Sequence, residues 1–335
     1  MSRLAALGTL EACSGGNGLL VQGIRNPGSL GVSRYAARLA DALAGQEVDY
    51  LLADEARGDT PAHFHLANSS RALLVTRTRR RVPFAVTVHD VVPRTRALHP
   101  LYRARVHPKL LRDAGAVVVH SAFAADLLVR VTGGRPRRLE VIPHPARRPS
   151  ETRRDAARRA LGWPDDALIA VVPGVLKSEK LVSKALAAVA QTPGWRIGLA
   201  GSFRDRSTEA RARTEGALVV SDPSDTLYEQ SIVGADCVLC LRSGSVGETN
   251  GPLLDALGAR RAILATDTGS IREIAGDAGL YCDGTENGIA DRLRYLSDPD
   301  ARFELEREAG RRAAPLTWEA SAADHAALFR EVFDV

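Results

Sequence analysis

No stretch of the 335 residues approaches the roughly twenty consecutive apolar residues that a membrane-spanning helix needs. The opening MSRLAALGTLEACSGG holds one Arg and an apolar run broken by Gly8 and Glu11, a poor secretory signal. The expectation is a cytoplasmic enzyme without a transmembrane segment. Four cysteines in a chain of this length argue against a disulfide scaffold. Cys237 and Cys240 form C-x-x-C, but they sit in an apolar run with no second ligand pair, which predicts buried thiols rather than zinc. No G-x-G-x-x-G is present, which argues against a dinucleotide site. Asp298-Pro-Asp300 reads as a helix start, not a metal-binding D-x-D, and no metal site is expected. Aromatic residues are scarce at 5%, and Met1 is the one methionine.

What is present points to a soluble globular chain: 45% hydrophobic, 25% charged, and long enough for two domains. The net charge of +5 fits a phosphate-bearing ligand and is weak support for nucleic acid, which is not expected as a partner. Short apolar runs alternate with helical patterns, the signature of α/β domains with parallel sheets. The first unit runs from a strand at Leu19 to Ile24, through a G-x-x-G loop (Gly28, Gly31), into a helix from Val32 to Ala44. Strands from Val48 to Leu52, His63 to Leu66, Phe84 to Val88, Val117 to Val119 and Leu139 to Ile142 follow. Two of them end in polar groups, His65 with Asn68 and His89 with Asp90, at the sheet edge where α/β domains bind ligands. A helix from Leu101 to Ala114 should kink near Pro108, and Ser121 is a good cap for the next helix. Arg77, Arg79, Arg80 and Arg81 form a basic cluster, either a solvated surface or a contact for an anionic or lipid-linked acceptor.

Pro143 to Ser150 has the composition of a linker. A second sheet begins at Leu168 to Val172, followed by Gly174 and a loop with Lys177 and Lys180. Strands at Arg196 to Ala200, ahead of Gly201, and at Ala217 to Val220 come next. The chemistry is placed between Leu239 and Ile274: an apolar run, the loop SGSVGETNG, a short helix opened by Pro252, and another strand. Asn250 and Gly251 at that helix start leave room for a ligand beside free N–H groups, which suits a phosphate. Asp255, one turn on, could accept hydrogen bonds from sugar hydroxyls, and Glu248 lies on the loop. Gly258 is expected to close the helix with positive φ. Spacing alone leaves open an ordinary β-loop-α turn in which Asp255 merely favours the helix dipole.

Gly247 to Ala256, G-E-T-N-G-P-L-L-D-A, followed by RRAILATDTGSIREI, resembles the C-terminal signature of retaining nucleotide-sugar glycosyltransferases of the GT-B fold, family four (group 1). That family typically reads E-G-F-G-L-P-x-x-E-A and then G-x-P-V-x-A-T-x-x-G-G-x-x-E-I, with a G-E-x-S-G variant. Asp255 takes the second acidic position, while Gly247 occupies the first and Glu248 falls one residue late. T-V-H-D-V-V-P and V-I-P-H resemble further family segments, and Lys180 matches the phosphate-gripping Lys. Val175 stands where the family has Arg, so Lys177 or Arg242 would replace that cation.

The resemblance implies two Rossmann-like domains facing a cleft: residues 1–145 on the acceptor side and 150–316 binding the donor, with a final helix, 317–335, returning to the first. It implies transfer from a nucleotide sugar, UDP-linked, to a small-molecule or lipid-linked acceptor, with retention and with no cofactor required. His89 and Glu248 would be catalytic. Gly31, Gly174, Lys177, Lys180, Gly201, Arg242, Asn250, Gly251, Pro252, Leu253 and Asp255 would bind the donor. His65, Asn68 and Asp90 would face the acceptor. Two other readings stay open: a sugar-nucleotide-binding protein without activity, and another two-domain α/β enzyme such as an epimerase or dehydrogenase.

Overall fold

The structure, a computed structural model, describes residues 19–25, 30–56, 58–67, 75, 82–148 and 150–333. Asn68, Gly28, the Arg77 to Arg81 cluster and the first seventeen residues lie outside the described residues.

Two six-stranded sheets, parallel throughout, form the frame. The first contains β1 (Leu19–Ile24), β2 (Val48–Ala53), β3 (Ala62–Leu66), β4 (Phe84–Val88), β5 (Ala116–Val119) and β6 (Leu139–Val141), in the order β2-β1-β3-β4-β5-β6. The second contains β7 (Leu168–Pro173), β8 (Trp195–Gly201), β9 (Leu218–Ser221), β10 (Cys237–Cys240), β11 (Ala262–Thr266) and β12 (Gly279–Cys282), in the order β12-β11-β10-β7-β8-β9. Their continuous Val, Ile, Leu and Ala runs suit strands covered on both faces. In each sheet the chain reverses its direction of travel once, between β1 and β3 and between β7 and β10. Such switch points open crevices beyond the strands' C-terminal ends.

In the first domain, α1 (Leu30–Leu43) covers one sheet face. On the other lie α2 (His99–Leu101, a π turn over Tyr102–Val106, then His107–Arg112) and α3 (Ala122–Thr132). The π turn sits just ahead of Pro108: the His107 N–H reaches back to Tyr102 O, so a widened turn stands where a kink is expected. Ser121 caps α3 by accepting from Ala124 N–H.

The second sheet carries α4 (Arg154–Leu161), α5 (Val182–Ala190), α6 (Arg206–Thr214), α7 (Asp225–Val233), α8 (Gly251–Gly258), α9 (Ile271–Ala275), α10 (Glu286–Tyr295) and α11 (Pro299–Ala313). The last helix, α12 (Trp318–Val332), returns to the first sheet, where Trp318, Ala326 and Phe329 share a core with Tyr35 and Leu39 of α1. Its cap is Thr317, and Asp298 caps α11. Among the described residues no helix is long and apolar enough to cross a membrane.

Cys237 and Cys240, three apart on β10, enter the cores on opposite faces of the sheet and cannot share a ligand. Burial pushes both thiols up, Cys240 to about 12.

Candidate active site

The crevice between β7 and β10 gathers most of the second-domain candidates. Gly174 leaves β7 with φ 89°, and a side chain there would lie 2.9 Å from Lys180 Nζ and 3.3 Å from Pro252 Cγ. Lys180 ends a single 3-10 turn, Ser178–Lys180, directly ahead of α5. It is buried and its ammonium donates to Pro173 O. Burial and then Arg242 hold its pKa down to about 7. Arg242 follows β10; its backbone N–H donates to Thr266 Oγ1 at 2.8 Å and its guanidinium pairs with Glu248 at 3.2 Å. Arg242, Glu248, Asn250, Thr268 and Ser270 line one small cavity.

Glu248 is the hub between the domains. One oxygen meets Arg242 and also Arg94 of the first domain at 3.1 Å; the other accepts from Ser245 Oγ and Val246 N–H. Burial would raise this carboxyl, yet the two guanidiniums outweigh it and hold it below the usual range. Arg94 also reaches Asp90 at 3.4 Å. Beside it the Val91 and Val92 N–H groups both donate to Val246 O at 3.0 Å. Glu273, from the second domain, accepts from Ala122 and Phe123 N–H at 2.6 and 3.0 Å and so caps α3 across the cleft.

The first sheet contributes a different device. Parallel register aligns His65 with Thr87, and Thr87 with Val118, so two-residue steps put His63, His65, Thr87, His89 and His120 on one face. Tyr50 joins them by crossing β1 at Gly23, where any Cβ would lie 2.1 Å from the Tyr50 ring. The groups form a hydrogen-bonded chain whose direction can be derived. His120 Nδ1 faces the Ile142 carbonyl at 2.9 Å and must donate. Burial lowers the pKa of every histidine in the chain, His120 to about 4 and His65 to about 3, so all are neutral at pH 7. His120 Nε2 therefore accepts from His89 Nδ1–H (3.3 Å), and His89 Nε2 accepts from His65 Nδ1–H (3.2 Å). The Tyr50 hydroxyl donates to His65 Nε2 (3.0 Å) and accepts from His63 Nδ1–H (2.7 Å); Thr87 closes the chain onto His63 Nε2 (2.8 Å). His144 and His325 pack beside it, against Tyr35 and His63 respectively.

Residues 60–145 match the Glycosyl transferase 4-like domain. The D-inositol 3-phosphate glycosyltransferases of Mycobacterium tuberculosis and Mycobacterium bovis are 26% identical over 286 residues, 77% of this chain. The chain spans 58% of the length of these relatives. Sucrose-phosphate synthase from Thermosynechococcus elongatus superposes with a TM-score of 0.78 at 17% identity, covering 94% of this chain and 99% of that one. Anabaena HepE, solved with UDP and glucose, gives 0.74 at 13% identity over 95% and 100%. The chain has the GT-B fold.

Set on the GT-B frame, several sequence expectations change. His89 has both ring nitrogens committed within the chain, so its imidazole is a buried structural link with no nitrogen left for a sugar in this arrangement. His65 is likewise turned into the chain rather than toward an acceptor. The helix α8 is a poorer anion site than its loop suggests. Leu253 N–H bonds both the Asn250 carbonyl (3.0 Å) and its side chain (3.4 Å), Leu254 N–H goes to the same carbonyl, and Pro252 has no N–H. Gly251 keeps the one N–H without a partner among the described residues of that first turn. The Leu253 side chain lies in the core.

Asp255 accepts from Tyr228 OH at 3.0 Å, with Arg147 at 3.7 Å; burial raises its pKa against these partners. Gly201 packs behind the site, since a Cβ there would fall 1.8 Å from Gly174 O. Lys177 pairs with Glu179 at 3.3 Å and Arg242 with Glu248 at 3.2 Å, and of the two cations Arg242 acts more strongly on Lys180. Gly31 is an exposed residue in the first turn of α1. Gly258 lacks positive φ; it is small because Arg147 O would lie 2.1 Å from a Cβ, and Arg260 takes the left-handed conformation at φ 52°.

Gly247 explains the displaced acidic residue. Its φ is 86°, and a Cβ would lie 2.5 Å from Val91 and 3.0 Å from Leu127 of the facing domain. No side chain fits there, and the carboxylate stands one residue on. Gly247→Ala is expected to cost about 1–3 kcal/mol in urea unfolding, whereas Gly251→Ala, which has open space and ordinary φ, should stay within about 0.5 kcal/mol.

Arg94, Tyr228, Arg147 and Glu273 were not singled out from sequence. Each acts across elements far apart in the chain, and no local spacing signals that.

Proposed function

We propose that the protein transfers a sugar from a nucleotide-sugar donor, UDP-linked, to an acceptor hydroxyl with retention of configuration. The observation that carries this reading is the buried Lys180 beside Arg242 at the switch point of the second sheet. A lysine whose charge is destabilised by burial gains most from a dianionic ligand, which restores its charge. Lys180, Arg242 and the Gly251 N–H would stabilise the departing diphosphate, so no metal is required of the reading. The Val91, Val92 and Val246 backbone contact would exclude water from the transfer. Glu248, held by two arginines, would orient Arg242 rather than take up a proton. Asp255 would meet the ribose only by exchanging its Tyr228 bond. The name of the HepE structure, with UDP and glucose, favours uridine; the acceptor is a small molecule or a lipid-linked group.

A thermal-shift series with UDP, GDP, TDP and their sugars tests the reading. UDP compounds should stabilise the protein by about 2.7 kcal/mol at a hundredfold Kd, and a UDP-sugar should release UDP slowly by hydrolysis. Stabilisation without UDP release would favour a binding protein. NAD binding without UDP binding would point to another enzyme class.

A further inference from the structure

Two side chains from distant parts of the chain meet on the Asp255 carboxylate. Tyr228 of α7 donates its hydroxyl to Oδ2 at 3.0 Å, and Arg147 sets its Nε 3.7 Å from Oδ1. Each oxygen thus has its own partner. Arg147 lies in the segment that joins the two domains, ahead of α4. The other end of its guanidinium is taken by Glu229, next to Tyr228 on α7: Arg147 Nη1 donates to Glu229 Oε2 at 3.1 Å. The guanidinium also faces the Tyr228 ring, 5.9 Å from its centre. Because a guanidinium is a rigid planar fork, fixing one edge on Glu229 aims the other at Asp255. The backbone beneath Arg147 is held without help from its side chain. It packs on α8 so closely that a Cβ at Gly258 would lie 2.1 Å from Arg147 O, and the Ala146 N–H donates to Leu316 O at 2.8 Å. The side chain therefore starts from a fixed point, and replacing it leaves the crossing between the domains in place.

We propose that Arg147 is a positioning residue that holds the Asp255 carboxylate for the ribose hydroxyls of the donor. This rests on the reading in which Asp255 meets the ribose by exchanging its Tyr228 bond. Once that bond is given up, Arg147 is the partner that stays on the carboxylate. A carboxylate accepts from two neighbouring hydroxyls with both oxygens only while it is ionised. Burial pushes the Asp255 pKa up, and Arg147 is the largest influence against it, ahead of Tyr228, Arg38 of α1 and Lys180. Glu229 shares the Arg147 charge, and Cys240 of β10 is a buried neutral thiol. The segment that links the domains thus supplies the counter-charge for the donor's sugar ring.

Calorimetry of the full chain with UDP and with 2′,3′-dideoxy-UDP at pH 7 isolates this contact, because the two ligands differ only at the ribose hydroxyls. Their affinity ratio cancels Lys180 and every other group that meets the diphosphate. UDP is expected to bind the wild-type protein about tenfold more tightly than the dideoxy compound. Arg147→Met should reduce that ratio by about fivefold, the upper end for a partly exposed ion pair, while the dideoxy affinity stays as it was. Arg147→Lys, which keeps a charge, should retain most of the ratio. Arg147→Gln takes the place of Arg147→Met should the latter fold poorly. Asp255→Asn should lose the ratio by itself, and adding Arg147→Met to it should change nothing further, since the two act as one unit. Equal binding of both ligands to the wild-type protein would show that Asp255 does not meet the ribose, and the inference would fall with that reading. A wild-type protein that discriminates, with an Arg147→Met variant that discriminates as well, would overturn the inference alone. So would an Arg147→Lys variant no better than Arg147→Met, or an Arg147→Met effect that persists undiminished in Asp255→Asn.

Discussion

His89→Ala is expected to lower stability by about 3–5 kcal/mol, because it cuts the histidine chain at its centre. The loss leaves His65 Nδ1–H and His120 Nε2 buried without partners, and each such group costs about 1–3 kcal/mol. A ring-sized void adds to this. Thr87→Val removes only the terminal donor to His63 and should cost about 1–2 kcal/mol. Urea unfolding of both variants separates a connected chain from independent packing. If His89→Ala is no less stable than Thr87→Val, the chain is not a unit. Activity of His89→Ala is therefore read only at a temperature where the variant is fully folded.

The second large effect is acid lability. The six clustered histidines all have folded pKa values below their ordinary value near 6.5: His63 and His89 well below it, His120 and His325 to about 4, His65 and His144 to about 3. Burial is the main cause for each, with repulsion between neighbouring rings adding to it for most. The unfolded chain then binds more protons than the folded one between those values. The neutral chain is fully stabilising above about pH 6.5, and that stability falls as pH drops toward 4. Each histidine contributes about 1.4 kcal/mol per pH unit within the window. Several acting together exceed a typical total stability of about 5–15 kcal/mol within two units. Cooperative unfolding is expected near pH 5, steeper than carboxylate titration alone would give. A protein that keeps its tertiary circular dichroism unchanged down to pH 4 would contradict the neutral chain.

Much of the frame was legible in the sequence. Apolar runs marked the strands to within about two residues, and Ser121 and Asp298 announced their helices. The helix α6 was missed because RSTEARART buries only Ala212 and shows no apolar stripe; its cap Asp205 was the available signal. For the site, residue types at strand ends pointed to the right crevice, but not to what each side chain does there. His63 and His65 share a face by their spacing, a visible hint. Joining them to His89 and His120 needs the register of three strands. The satisfied helix start at Asn250, the clash that keeps Gly247 bare and the Arg94–Glu248 pair all depend on neighbours supplied by the fold. Sequence resemblance could name those positions without their geometry.

The central claim is that Lys180 and Arg242 receive a nucleoside diphosphate, and calorimetry of UDP binding at pH 8 tests it most directly. With a pKa of about 7 when unliganded, Lys180 is mostly neutral at that pH and should take up close to one proton as the diphosphate restores its charge. The binding enthalpy should then differ between HEPES and Tris by nearly the difference in their ionisation enthalpies, and affinity should fall as pH rises above 7. Lys180→Ala should abolish the proton uptake and weaken binding by about 1.5–3 kcal/mol, the range for a charge-assisted hydrogen bond. Equal UDP affinity in the two proteins, with the same buffer dependence, would contradict the account.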